Sequence, residues 1–179
     1  MTDENKIEIA TFAGGCFWCT EAVFKGLKGV KSVQSGFMGG HKDNPSYREV
    51  CGGNTGHAET IKVEFNPEVI SYDTLLDVFF ATHDPTQLNR QGNDVGDHYR
   101  SHVFAQNGDQ EVAAYKARDR AVEIWDDPIV TKISIETVFW DAEDYHNDYF
   151  AQNPEQAYCA MVVAPKVRKA RASFASLME

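Results

Sequence analysis

Cys16 lies in the stretch ATFAGGCFWCTEAV, where an alternating run gives way to two glycines and then to a helical stripe. A thiol at that junction faces the unpaired N–H groups and the positive end of a helix, which favours the thiolate, the nucleophilic form. Gly14 and Gly15 keep side chains away from the sulfur, and Phe17 and Trp18 add two aromatic rings able to cradle an apolar group. Cys16 could instead pack as a small buried hydrophobe. Cys16 and Cys19 also form a C-x-x-C at a helix start, which alone points to a thioredoxin-like thiol–disulfide oxidoreductase. Against that stands a second polar constellation in two long loops, 38–59 with Tyr47, Cys51 and His57, and 84–101. Long loops inside compact domains usually carry function.

Metal chemistry is less well supported. His57-Ala58-Glu59 matches the H-x-E of zinc deaminases, but that motif expects a later P-C-x-x-C, and here the C-x-x-C comes first. A zinc module from Cys16, Cys19, Cys51 and Cys159 would need two C-x-x-C knuckles, and the chain has one. His98 and His102 share helical spacing but straddle a loop-to-strand junction, so neither is assigned a metal.

The elements that must position these residues follow from hydrophobic period and turn signals. Residues 7–13 alternate as a strand, and Phe17, Ala22, Val23 and Leu27 form a helical stripe. Strands are expected at 30–37, 60–65, 102–105 and 129–139. Helices are expected at 71–83, with Ser71 as N-cap, and at 109–125. The remainder mixes short helices, loops and the apolar stretch MVVAP. Interleaved strands and helices with short connections favour an α+β two-layer sandwich, a ferredoxin-like core of a mixed, largely antiparallel sheet with helices packed on it.

A chain of 179 residues with no internal repeat or linker reads as one domain, 1–179. Its 27 acidic against 17 basic residues give a formal charge of -10, which argues against nucleic acid and anionic membrane surfaces as partners. MTDENKIEIATFAGG lacks the basic start and apolar run of a signal peptide, so a cytoplasmic monomer is expected. In a reducing compartment, four cysteines point to reactive thiols more than to structural bridges.

Three motifs in order, GGCFWCTE, PSYREVCGGNTGHAE and LNRQGNDVGDHYRS, resemble the peptide methionine-S-sulfoxide reductase family over most of the chain. The resemblance implies that Cys16 attacks the sulfoxide sulfur and that Glu59 is the acid for its oxygen. It implies that Tyr47 and Tyr99 hydrogen-bond that oxygen, that Asp94 is the aspartate of the G-N-D motif, and that Phe17 and Trp18 form the pocket for the substrate methyl. It further implies free or protein-bound methionine sulfoxide as substrate, no metal or organic cofactor, and an external thiol, thioredoxin or dithiothreitol, as reductant. The chain departs from the commoner pattern at Phe37, where the family often has Tyr, and at Asp97-His98. Cys19 occurs in only part of the family, and the glycine-rich cysteine tail of some relatives is missing.

Oxide is a poor leaving group, so thiolate attack on a sulfoxide requires protonation or strong hydrogen bonding of the oxygen. For Glu59 to supply a proton near neutral pH, burial must raise its pKa above the ordinary carboxylate value. The product on Cys16 is a sulfenic acid, which a second thiol condenses to a disulfide. Of Cys19, Cys51 and Cys159, the reading assigns Cys159 as the resolving thiol, because residues after Asn153-Pro154 show few regular elements and such segments swing at low cost.

Overall fold

The structure, a computed structural model, describes residues 6–178. The first five residues and Glu179, which the sequence reading includes in the domain 1–179, lie outside the described residues, as does the start of the stretch read for a signal peptide. Five elements open the chain: β1 (Glu8–Gly14), α1 (Phe17–Lys25), β2 (Val30–Met38), the short α2 (Tyr47–Cys51) and β3 (Ala58–Phe65). After α3 (Tyr72–Thr82) come the small hairpin β4 (Arg90–Gln91) and β5 (Asp94–Val95), then β6 (Ser101–Ala105) and α4 (Gly108–Ala121). The chain ends with β7 (Lys132–Ile135), β8 (Trp140–Asp141), α5 (Tyr149–Gln152) and α6 (Ala164–Ser173). The sheet runs β7-β6-β1-β3-β2-β8. Its four central strands pair antiparallel, and their order with α1 and α3 as the two crossovers is that of a ferredoxin-like core.

Period-two alternation sorts side chains to the two faces of the sheet. Ala10, Phe12, Ile61 and Val63 join the main core with Phe24 of α1, Phe79 of α3 and Ala117 of α4. Ala13, Met38, Ala58 and Phe104 form a smaller cluster on the opposite face, against which Phe139 packs. Helix starts follow the expected side-chain logic: Ser71 accepts the Thr74 N–H at 3.0 Å, and Asn107 accepts that of Gln110 at 2.9 Å. No helix among the described residues is long and apolar enough to cross a membrane.

The structure departs from the sequence reading in four elements. The stretch 38–59 holds α2, closed by a capping box between Ser46 and Glu49, and its last two residues already belong to β3. The stretch 84–101 holds the β4–β5 hairpin and a 3-10 turn at Asp97–Tyr99. Of the strand expected at 129–139 only Lys132–Ile135 forms one, β7, which runs parallel to β6; the chain then crosses to the opposite edge of the sheet, where β8, just past the expected bound, pairs with β2 at Gly36 and Phe37. Burial of Phe139 against the smaller cluster draws the chain between them across that face. Gly36 permits it, since a Cβ there would lie 2.2 Å from Phe139 Cζ and 2.4 Å from the Trp140 carbonyl oxygen. Finally, the C-terminal stretch is helical: a π-turn at Cys159–Val163 runs straight into α6. Val163 and Val167, four residues apart, bury one face of it.

Candidate active site

The central β1 ends at Gly14, and α1 begins three residues later, which leaves Gly15 and Cys16 to turn the chain. Gly15 has φ of +93°, and a Cβ there would lie 2.7 Å from Cγ of Gln91, so only glycine fits. Cys16 is the N-cap of α1, its carbonyl accepting the Cys19 N–H at 3.0 Å. Its thiol is buried, 6% exposed, and in hydrogen-bond contact with the Cys19 thiol. The expectation that the helix end would favour the thiolate needs correction here. The Trp18 N–H does pull the pKa down, but burial, the Cys19 thiol and negative charge at Glu59 outweigh it, and the Cys16 thiol sits well above its ordinary value. Contact with Cys16 lowers the Cys19 pKa, helped by Lys166 and the Tyr158 hydroxyl and opposed by burial.

Glu59, the second residue of β3, is 1% exposed. Its Oε1 accepts the Phe17 N–H at 3.1 Å, so the carboxyl caps the same helix end that carries Cys16. Its Oε2 is buried without a hydrogen-bond partner among the described residues. Burial pushes the Glu59 pKa up to about 8, with Asp94 and Cys19 adding to it and the Phe17 N–H opposing it. A neutral carboxylic acid therefore stands beside Cys16 at pH 7. Tyr47, the first residue of α2, and Tyr99, at the end of the 3-10 turn, are half-buried. Burial, and then the charge of Glu59, push both phenols far up, so both remain hydroxyl donors. Asp94 Oδ2 accepts the Tyr158 hydroxyl at 2.5 Å.

Phe17 is wholly buried and stacks on Tyr47 with ring centroids 5.9 Å apart. Trp18 is partly exposed. It stacks face to face on Tyr149 at 3.9 Å, and its Nε1 donates to His146 Nδ1 at 3.2 Å. The structure thus brings Cys16, Glu59, Tyr47, Tyr99 and Asp94 together around the start of α1, with Phe17 beneath them and Trp18 beside them. Cys51 hydrogen-bonds Tyr47 and feels the charge of Glu59. Cys159 is 0% exposed, its N–H donates to Gln156 Oε1 at 3.0 Å, and the Cys19 thiol is among the groups raising its pKa. It sits in a helix, not in a loose segment.

Sequence reasoning missed His146 and Tyr158. Both lie in 142–158, a stretch with no apolar period to place it, and each acts through a residue of the C-F-W-C motif: His146 holds Trp18, and Tyr158 touches Cys19. The only available signal was the aromatic content of that stretch.

Comparison with known proteins bears on this arrangement. The family described as Peptide methionine sulfoxide reductase matches residues 8–177. A Peptide methionine sulfoxide reductase MsrA of Ralstonia nicotianae is 52% identical over 185 residues, spanning 100% of this chain and 97% of the relative. Among solved structures, the reduced form of Mxr1 from Saccharomyces cerevisiae superposes with a TM-score of 0.82 at 37% identity, covering 89% of this chain and 92% of that one. Mxr1 in complex with Trx2 superposes with a TM-score of 0.59 at 26% identity, covering 82% and 88%.

Proposed function

The chain belongs to the peptide methionine sulfoxide reductase family, and from that premise we propose that Cys16 is the nucleophile toward methionine S-sulfoxide, free or in a protein, with Glu59 as the acid for its oxygen. The observation that carries this reading is the pairing of the buried Cys16 thiol at a helix start with a carboxyl that keeps its proton to about pH 8. As the Cys16 sulfur bonds to the substrate sulfur, Glu59 delivers its proton to the oxygen and recovers one from the Cys16 thiol; the oxygen then transfers to the Cys16 sulfur as its bond to the substrate sulfur and the bond between the two sulfurs break, so no free oxide is released. Oxygen ends on Cys16 as a sulfenic acid and methionine leaves, a two-electron reduction balanced by oxidation of the thiol. Tyr47 and Tyr99 donate hydrogen bonds to the oxygen. Asp94 acts through Tyr158, while Phe17 and Trp18 enclose the methyl group.

Regeneration needs a second thiol and an external dithiol. The direct condensation of Cys159 with Cys16 gives way to a relay, because the Cys19 thiol touches Cys16 and also lies near Cys159: Cys19 condenses with the sulfenic acid, releasing water, and Cys159 then displaces Cys16 from that disulfide. Thioredoxin is the proposed reductant, by analogy with the Mxr1 complex; dithiothreitol replaces it in vitro. Cys16→Ser is expected to form no methionine from a sulfoxide substrate, since an alcohol is the weaker acid and nucleophile. Substantial methionine formation by Cys16→Ser would exclude this site. Peptide mapping after one turnover without reductant is expected to give Cys19–Cys159 in the parent and Cys16–Cys19 in Cys159→Ser; a bridge to Cys51 would overturn the route.

A further inference from the structure

Three separate elements each send one metal-competent donor to the same point. Cys51 closes α2, Glu59 is the second residue of β3 and His98 lies in the 3-10 turn before β6. Their thiol sulfur, carboxylate oxygen and ring nitrogen all lie within 4.8 Å of one another. Two of the three side chains are buried and carry an atom with no partner among the described residues: Glu59 Oε2 and His98 Nδ1, in side chains 1% and 7% exposed. Buried polar atoms are normally satisfied, and each exception requires an explanation. A shared ligand explains both.

We propose that Cys51, Glu59 and His98 form a three-ligand site for a divalent ion of the zinc class. A thiolate and a carboxylate neutralise its two charges, with a neutral imidazole as third donor. Such a sulfur, nitrogen and oxygen set selects zinc-like ions over magnesium or calcium. Tetrahedral zinc bonds place donor atoms on the order of 3.5 Å apart, so the observed cluster closes on an ion by side-chain rotation. Cys51 is exposed and provides the route of entry. Three protein ligands leave a fourth position for water. An ion held here takes the carboxyl that serves the sulfoxide oxygen, so it acts as a reversible inhibitor. This inhibition rests on the function proposed above, whereas the binding does not. His98 is the residue that the sequence alone gave no reason to connect with Glu59.

The competing site is the Cys16–Cys19 dithiol, and the test separates the two. Zn2+ uptake is measured by equilibrium dialysis and calorimetry on the reduced full chain, on His98→Gln, on Cys51→Ser and on the Cys16→Ser/Cys19→Ser double variant. The expected result is one saturable ion in the parent and the double variant. Loss of an outer-shell partner alone weakens metal sites 10–100-fold, so each ligand variant is expected to bind at least about tenfold more weakly. Absence of saturable uptake, uptake lost in the double variant, or uptake unchanged in His98→Gln would each overturn the site. Zn2+ is also expected to suppress methionine formation in the parent and not in His98→Gln. Should Zn2+ bind as described yet leave turnover unchanged, the ion site would stand and Glu59 would be excluded as the proton donor.

Discussion

In the proposed mechanism the two oxygens of the Glu59 carboxyl divide the work. Oε1 satisfies the first N–H of α1, and Oε2 remains free for chemistry. The pH dependence follows from the direction of its shift: burial raises the pKa to about 8, so the proton is present below that value and lost above it. Single-turnover methionine formation is therefore expected to lose its Glu59-dependent advantage as pH rises through about 8. Glu59→Gln, slower by about 100-fold, is expected to lack that break. A break near pH 8 that survives in Glu59→Gln would belong to another group and remove Glu59 from the acid role. Cys16 ionises higher still, for the same reason of burial. The sequence names both residues but gives no way to weigh a helix end against desolvation, because desolvation depends on which parts of the chain distant in sequence fold over the site.

At the scale of elements, α1 is tied to its neighbours by a buried acid. Glu21 accepts hydrogen bonds from the Asp148 N–H, before α5, and from the Ser35 hydroxyl of β2. Burial raises its pKa from 4.5 to about 6, so the folded state holds this proton more tightly than the unfolded chain. Stability from this group is thus greatest below about pH 4.5 and declines as pH rises through about 6, by at most about 2 kcal/mol. Urea denaturation of Glu21→Gln is expected to show less loss of stability between pH 4.5 and 6.5 than the parent; identical pH slopes would contradict this. The core elements were legible because period and capping agree in them: Ser71 caps α3 as expected, and β1, β2, β3 and β6 fall within two residues of their expected bounds. Short elements were not. The four residues of β7 and the two of β8 carry no period of their own, and tertiary packing of Phe139 decides where each lies. The helical setting of Cys159 was missed for a related reason, since helix α6 buries only Val167 and Ala170 and shows little apolar stripe.

For the whole molecule, the sheet is a frame and the chemistry is assembled at the end of its central strand. Excursions after β2, after α3 and after β8 all converge on the start of α1, which is why residues as far apart in sequence as Cys16, Glu59, Asp94 and Tyr158 share one centre. The closing of both sheet edges by one late stretch has a consequence for synthesis. Until residues 132–141 have emerged, β6 and β2 present unpaired backbone groups, and in the finished chain Ala142 and Asn147 still supply the bonds that Ser35 needs. Open edges template association with other chains. A chain ended at Pro128 is accordingly expected to retain the elements of the ferredoxin-like core yet sediment as oligomers or aggregates, while the full chain under the same conditions does not. A monodisperse, monomeric truncated chain would show that the edges protect themselves. The nascent protein is thus most vulnerable to its own copies during the interval in which its four central strands are made and its last two strands are not.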